Sequence, residues 1–159
     1  MTRLKSDFYP ILILLAGCTY TPPATLAPVP RAPTIVDASM DRLWIAVIDF
    51  FADRNIPIRT LDRVSGFIAT DALRVQDSKA EGWADCGSTD NGPLSPTGAT
   101  YNIRVRGDSV HSTVQITVRW TGYFENAMDA RNSRSVDCVT LNTWEADAEG
   151  IIKARAEAR

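Results

Sequence analysis

The sequence predicts a two-layer α+β domain, in which a four-stranded antiparallel sheet is packed by an N-terminal and a C-terminal helix. Residues 39–54 and residues 142–159 carry apolar side chains at three- and four-residue steps, which is typical of amphipathic helices. Between them, residues 101–121 alternate apolar and polar side chains, which is typical of strands with one buried face. Helices at both ends of a run of strands favour this fold class.

The first helix is predicted to begin at Asp37 or Ser39, either of which can cap it, and to end near Arg54. Its apolar face consists of Met40, Leu43, Trp44, Val47, Ile48 and Phe51. The charged residues lie mostly on the other side and have both signs. This face is therefore expected to pack in the core rather than on a membrane, which would favour a basic polar face.

A hairpin is predicted after this helix, with strands over 56–61 and 66–72 joined by a turn at 62–66. Pro57 removes one backbone donor, so the start of the first strand is expected at a sheet edge.

A long irregular stretch, rich in Gly, Pro, Ser and Asp, is predicted from residue 74 to residue 99. A loop of this length in a compact domain is usually functional or disordered. Trp83 lies in this loop, whereas Trp44, Trp120 and Trp144 each belong to an apolar face of a helix or strand. Trp83 is therefore the candidate for contact with a partner or a ligand.

A second hairpin is predicted from two alternating runs, 101–106 and 110–121, joined through Gly107 and Asp108. Its polar face carries Arg104, Arg106 and Arg119 and is expected to be exposed.

The C-terminal helix is predicted to begin at Asn142, with Glu145 as the second member of a capping pair. Its apolar stripe is narrower and consists of Leu141, Trp144, Ala148, Ile151 and Ile152. Basic residues near its end complement the helix dipole.

Residues 1–17 are predicted to be a signal peptide. A basic start with Arg3 and Lys5 precedes the apolar run 8–15, which is too short to span a bilayer. The stretch Leu15-Ala16-Gly17-Cys18 resembles the lipobox of bacterial lipoproteins. The alternative is a buried N-terminal helix with an incidental cysteine.

The lipobox resemblance implies that Cys18 carries acyl chains such as palmitate and that these chains anchor the protein to a membrane. Thr19 follows the cysteine, where an Asp would retain enterobacterial lipoproteins in the inner membrane. The expected location is therefore the outer membrane, lipid-anchored, with the domain in the periplasm. Five prolines between residues 19 and 33 predict a Pro-rich tether over 18–36, followed by a single α+β domain over 37–159.

Two cysteines remain once Cys18 is lipidated, and an exported chain occupies a compartment where disulfides persist. A Cys86–Cys138 disulfide is therefore predicted. Free buried thiols and a metal site remain alternatives, although a single histidine and the lack of a Cys-x-x-Cys pair leave a metal short of ligands.

Charge and motifs argue against several function classes. The formal net charge is −2, without the basic stripe of a nucleic-acid-binding surface. The sequence contains no Walker A, dinucleotide-binding, H-E-x-x-H or G-x-S-x-G motif. His111 is predicted on the polar face of a strand without a second histidine. No catalytic, cofactor-binding or metal-binding residues are predicted, and we expect a protein that is not an enzyme.

The N-terminal part of the domain resembles the domains of BamC-type outer-membrane lipoproteins. The similarity lies between Trp44 and Asp71, in Ile56-Pro57-Ile58, Leu61-Asp62 and Ser65-Gly66-Phe67-Ile68-Ala69-Thr70-Asp71. It covers roughly residues 37–72 by motif and the remainder by element order. It implies a helix-grip fold and a place beside the β-barrel assembly machinery.

The expected function is that of a non-enzymatic binding or scaffold component of an envelope assembly complex. Its expected partners are the bilayer, through acylated Cys18, and envelope proteins such as barrel-assembly components, with no nucleic acid. The alternative is binding of a small apolar ligand or lipid between sheet and helix, lined by Phe67, Trp120 and Trp144.

Overall fold

A computed structural model describes residues 19–23, 31–77, 79–126 and 129–158. Within these ranges the chain forms two α-helices, α1 (Met40–Asp53) and α2 (Thr143–Glu157), and two short 3₁₀ turns at Ala80–Gly82 and Ala130–Asn132. The strands of the same ranges are β1 (Tyr20–Thr21), β2 (Thr34–Val36), β3 (Ile58–Asp62), β4 (Phe67–Thr70), β5 (Leu73–Arg74), β6 (Ala84–Asp85), β7 (Ser88–Thr89), β8 (Gly92–Pro93), β9 (Pro96–Gly107), β10 (Ser112–Phe124), β11 (Arg134–Asp137) and β12 (Val139–Thr140).

The predicted two-layer fold with a four-stranded sheet is wrong, because the protein is mostly β. In the described part of the chain the main sheet has seven antiparallel strands, ordered β11-β10-β9-β4-β3, with β2 added on β10 and β5 added on β9. Two smaller sheets, β1-β7-β8 and β12-β6, accompany it. Most of the strands that the sequence did not reveal are two or three residues long, which is too short to show an alternating pattern.

The hairpin of β9 and β10 is the central feature of the main sheet. The two strands are 12 and 13 residues long and pair from Ser112 opposite Gly107 to Gly122 opposite Pro96. Their buried face carries Tyr101, Ile103, Val105, Val114, Ile116, Val118 and Trp120. The alternation predicted this strand pair, and the expected arginines lie on the exposed face. Both helices pack against the buried face.

Helix α1 begins where the sequence predicts. Ser39 is the N-cap, and its hydroxyl accepts a hydrogen bond from the Arg42 N–H at 3.4 Å. The buried face consists of Leu43, Trp44, Ala46, Val47, Phe50 and Phe51. Most of this face is the predicted apolar stripe, so local periodicity was sufficient to orient this helix.

Helix α2 differs from its prediction at its start. Asn142 adopts a left-handed conformation (φ 60°) and its side chain makes no capping hydrogen bond. Glu145 is buried instead, and it accepts a hydrogen bond from the Thr140 hydroxyl at 2.7 Å. The predicted capping pair is therefore wrong, because Glu145 turns into the protein rather than back to the helix terminus.

A second buried carboxylate, Glu149, fixes α2 to the sheet. It is 1 % exposed and accepts hydrogen bonds from Arg31 and the Thr34 hydroxyl, both at 2.5 Å, and from the Ile116 N–H at 2.7 Å. One side chain therefore joins the helix to β10, to β2 and to the residue from which the chain leads into β2. A buried charge is tolerated in a protein when it is paired and hydrogen-bonded in this way.

Parts of the predicted tether over 18–36 are strands. Strand β2 pairs with β10, with Val36 opposite Ser112, and β1 pairs with β7. Residues 24–30, Cys18 and the predicted signal peptide lie outside the described residues. Among the helices that are described, none has the length and apolar character needed to cross a bilayer.

Replacing Glu149 should destabilise the fold strongly. Glu149→Ala leaves the Arg31 charge and the buried Ile116 N–H without their acceptor, so we expect the free energy of unfolding to fall by about 3 kcal/mol. The melting temperature should then fall by roughly 10 °C. Calorimetry or urea unfolding measures both quantities.

Two further variants on the same helix serve as controls. Glu149→Gln keeps an acceptor for Ile116 and should lose less stability than Glu149→Ala. Asp147→Ala removes an exposed carboxylate and should change stability by no more than about 0.5 kcal/mol. Equal stability of the Glu149→Ala and Asp147→Ala variants would contradict the role given to Glu149.

Candidate functional site

A cluster of aromatic side chains lies between the sheet and the helices. Its ring centroids are 4.6 Å apart for Tyr101 and Trp144, 5.7 Å for Trp83 and Trp120, and 6.2 Å for Phe50 and Trp144. Trp120 is fully buried, whereas Trp83 and Trp144 are half-buried and extend to the surface. The cluster therefore has a core side and an accessible side.

The accessible side opens into a surface depression, which we call the aromatic groove. It lies between α1, α2 and the residues 77 and 79–83, and it has a volume of about 410 Å³. It is lined by Phe50, Arg54, Asp77, Lys79, Trp83, Trp144, Asp147, Ala148 and Ile151. The groove thus combines an aromatic floor with a rim that carries two cationic and two anionic side chains.

Arg54 is fixed on one wall of the groove. Its guanidinium carbon lies 3.7 Å from the centroid of the Phe50 ring, and its side chain donates to the Phe50 carbonyl at 3.3 Å. Burial lowers the pKa of Arg54 from its usual value, and the neighbouring Arg155 adds to this shift. Arg54 therefore presents an ordered positive charge that is stacked on an aromatic ring.

Trp83 is held in place through its backbone. The Leu141 N–H donates to the Trp83 carbonyl at 2.9 Å, and the Thr143 hydroxyl donates to the neighbouring Gly82 carbonyl at 2.5 Å. Immediately beyond, β6 pairs with β12. The stretch predicted as an irregular loop over 74–99 is therefore ordered on this side by the segment that leads into α2.

The predicted Cys86–Cys138 disulfide is confirmed. It joins the end of β6 to the start of β12, and the Cys138 N–H donates to the Trp120 carbonyl at 3.1 Å. Cys86 is fully buried. The bridge therefore ties the segment that carries Trp83 to the strand that carries Trp120.

Beneath the groove, Tyr101 is a neutral phenol under ordinary conditions. Burial, together with the charge of Glu145, raises the pKa of Tyr101 to about 12. Within the described residues, Trp120 Nε1 and Glu145 Oε2 are buried without a hydrogen-bond partner. At neutral pH the phenol is protonated, so Tyr101 is a packing residue here and not a base.

The structure separates the residues predicted to line an apolar ligand site. Trp120 and Trp144 belong to the aromatic cluster, but Phe67 lies on the other face of the sheet and is 37 % exposed. There it borders a shallow depression with Asn102, Arg104, Gln115 and Thr117. These three side chains therefore do not share a cavity.

Sequence reasoning named Trp83 and placed Trp144 and Ile151 on a helix stripe, but it missed Phe50 and Arg54 as groove residues. Arg54 follows Phe50 by four residues at the end of α1, a spacing that brings side chains together on a helix. That spacing was a usable signal for the stacked pair. The role of Trp83 in contacting a partner stays a prediction.

A wider depression of about 560 Å³ lies elsewhere and is lined by Arg74, Val75, Gln76, Thr97 and Tyr123. It contains one aromatic side chain, whereas the aromatic groove contains three. The aromatic groove is therefore the better candidate for specific binding.

No protein-family model matches the chain, and no curated protein matches its sequence. The resemblance to BamC-type lipoproteins consequently stays a prediction.

Reducing the disulfide should loosen one part of the domain selectively. We expect the amides of Leu141 and Leu94, which bond to the Trp83 and Gly87 carbonyls, to exchange about 30-fold faster, as a local loss of about 2 kcal/mol gives. The amides of Ile103 and Ile116, in the middle of the main sheet, should keep their protection. Hydrogen exchange by NMR with and without reductant measures this, and unchanged Leu141 and Leu94 would show that the bridge is not needed there.

Proposed function

We propose that this protein is a membrane-anchored periplasmic lipoprotein that binds another envelope protein at the aromatic groove and acts as a non-enzymatic component of an envelope assembly complex. The observation that carries the proposal is the groove itself. Two half-buried tryptophans, Trp83 and Trp144, reach the surface beside the buried ring of Phe50, within a rim of mixed charge.

The composition of the groove supports protein binding. Aromatic residues and arginine are enriched at the centres of protein interfaces, where they supply most of the binding energy. Arg54 and Lys79 are balanced on the rim by Asp77 and Asp147. A rim of both signs favours a partner that offers both signs around an apolar side chain, and it disfavours a nucleic acid.

The rigidity of the groove supports the same proposal. The walls belong to two helices and to a segment that is fixed by the Cys86–Cys138 bridge and by backbone hydrogen bonds. A site that is already ordered loses less conformational freedom on binding, so more of the contact energy appears as affinity.

The location rests on Cys18 and on the disulfide. Acyl chains on Cys18 would make the bilayer the first partner, and a disulfide supports a compartment outside the cytosol, where such bonds persist. We propose the periplasmic face of the outer membrane, and barrel-assembly components as the first proteins to test.

Placing a charge on the wall of the groove should weaken partner binding. Ile151 is 44 % exposed and lines the groove, so Ile151→Arg puts a cation beside the aromatic floor with little effect on the core. We expect the partner that co-purifies with the detergent-solubilised, tagged protein to decrease at least several-fold, as quantified by mass spectrometry.

The matched control is Val64→Arg, the same kind of change at a 99 % exposed apolar residue in the β3–β4 turn. It should retain the partner at the level of the unmodified protein. Point substitutions are preferable to deletion of the 74–99 segment, since that deletion also removes Cys86. Equal partner recovery with Ile151→Arg and Val64→Arg would exclude the groove as the binding site.

The anchor is tested separately. Cys18→Ser removes the proposed acylation site, so the protein should move from the membrane fraction to the soluble periplasmic fraction, and the mass difference of the acyl chains should disappear. A Cys18→Ser protein that still sediments with membranes would contradict the lipid anchor.

A further inference from the structure

The residue that follows the proposed lipidation site is held on the domain. Asp90 accepts two hydrogen bonds from Thr19, one from its backbone N–H at 3.1 Å and one from its hydroxyl at 3.0 Å. Strand β1 continues this attachment, with Tyr20 opposite Thr89 and Thr21 opposite Ser88. The chain is therefore paired with the domain from its first described residue.

Tyr20 anchors this strand by its side chain. Its hydroxyl donates to the Cys86 carbonyl at 3.1 Å, and its ring lies 5.4 Å from that of Phe124. The guanidinium of Arg134 lies over both rings, at 5.5 and 5.7 Å from their centroids. Because Cys86 is itself bridged to Cys138, the strand is fastened to a covalently closed part of the fold.

The register sets the direction in which the chain leaves the domain. Since β1 and β7 are antiparallel, the chain followed backwards from Thr21 to Thr19 runs along Ser88 and Thr89 to the turn at 90–91. Consecutive Cα atoms are about 3.8 Å apart, so a group attached at Cys18 is held close to this turn.

The 90–91 turn and the 63–66 turn lie at opposite ends of the main sheet. Strand β8 leads within three residues into Pro96, the first residue of β9. The 63–66 turn is bound near the other end of β9, where the Val105 N–H donates to the Gly66 carbonyl at 2.8 Å. At ~3.3 Å per residue, Pro96 and Val105 are about 30 Å apart along the strand.

We propose that the bilayer holding the acyl chains of Cys18 lies directly against the end of the domain formed by β1, the β7–β8 turn and the described residues 125–126 and 129–133 between β10 and β11. This inference rests on the proposed lipid anchor and adds an orientation to it. The 63–66 turn then lies at the end of the main sheet that faces away from the membrane.

The side chains at this end suit a lipid headgroup layer. Tyr123 is 51 % exposed there, and amphipathic aromatic rings are favoured at the membrane interface. Arg131 and Arg134 are exposed beside the acidic Glu125 and Asp129. With charges balanced in this way, the acyl chains supply the attachment, and the Thr19–Asp90 and Tyr20 contacts supply the orientation.

The test measures the depth of two probes on the full-length lipoprotein. Asn91→Cys and Val64→Cys each introduce one thiol for an environment-sensitive fluorophore, with the native disulfide intact. The labelled proteins are reconstituted into vesicles of phosphatidylethanolamine and phosphatidylglycerol that contain a headgroup-nitroxide lipid as quencher. We expect the probe at position 91 to be quenched several-fold more strongly than the probe at position 64.

A pair of variants tests whether the contacts set this orientation. Asp90→Ala combined with Tyr20→Ala removes the hydrogen bonds to Thr19 and the ring contacts, and it should bring the quenching at the two positions close to equality. Glu125→Ala removes an acidic group at the same end without touching Thr19 or Tyr20, and it should preserve the difference.

The outcomes separate the orientation from the anchor. Equal quenching at positions 91 and 64 in a protein whose measured mass includes the acyl chains overturns the orientation alone. A protein without acyl mass that does not float with the vesicles overturns the lipid anchor and the orientation with it. Stronger quenching at position 64 overturns the proposed direction.

Discussion

The Cys86–Cys138 bridge is the constraint on which both proposed surfaces of this protein depend. It closes a loop of 52 residues and so stabilises the fold by about 4 kcal/mol in the chain-entropy account. The bridge packs closely against β10, because a Cβ added to Gly122 would lie 3.1 Å from the Cys86 sulfur. On one side of Cys86 the chain leads to Trp83 and the aromatic groove. On the other side it leads to the β7–β8 hairpin, on which β1 is paired.

The two surfaces therefore share the Cys86–Cys138 bridge as a common structural support. The Cys86 carbonyl accepts a hydrogen bond from the Tyr20 hydroxyl, while the Cys138 N–H donates a hydrogen bond to the Trp120 carbonyl beneath the groove. Trp120 and Phe124 are four residues apart on the same strand, a separation of about 13 Å. A partner in the groove would therefore be held about 13 Å along β10 from the level at which Tyr20 of β1 contacts Phe124.

Sequence reasoning succeeded where a long element exposes one face to the core. The 13 residues of β10 alternate strongly enough to define its buried face, and α1 repeats its apolar residues over almost four turns. It also predicted the disulfide correctly, because only Cys86 and Cys138 remained to pair once Cys18 was assigned to the lipobox. It failed for β5 to β8, since two-residue strands carry no period and are formed by pairing with distant segments. On α2 it identified Ala148 and Ile152, which are buried, but it missed Glu145 and Glu149. The burial of these two carboxylates depends on their partners Thr140 and Arg31, which lie outside the helix.

Hydrogen bonds from the Pro-rich segment to the rest of the protein explain why parts of this segment belong to the domain. Prolines at 22, 23, 28, 30 and 33 favour extended backbone, which predicts a spacer, but extended backbone is also the conformation of a sheet edge strand. The hydroxyl of Thr34 donates a hydrogen bond to Glu149, which holds β2 on the sheet. Asp90 and the Cys86 carbonyl accept hydrogen bonds from Thr19 and Tyr20 and hold β1 in the same way. Hydrogen bonds to these groups convert two stretches of a nominal linker into strands. Under the lipid anchor that we propose, the position of the domain relative to its attachment point is set by the side-chain contacts of Thr19 and Tyr20, and not by the contour length of residues 18–36.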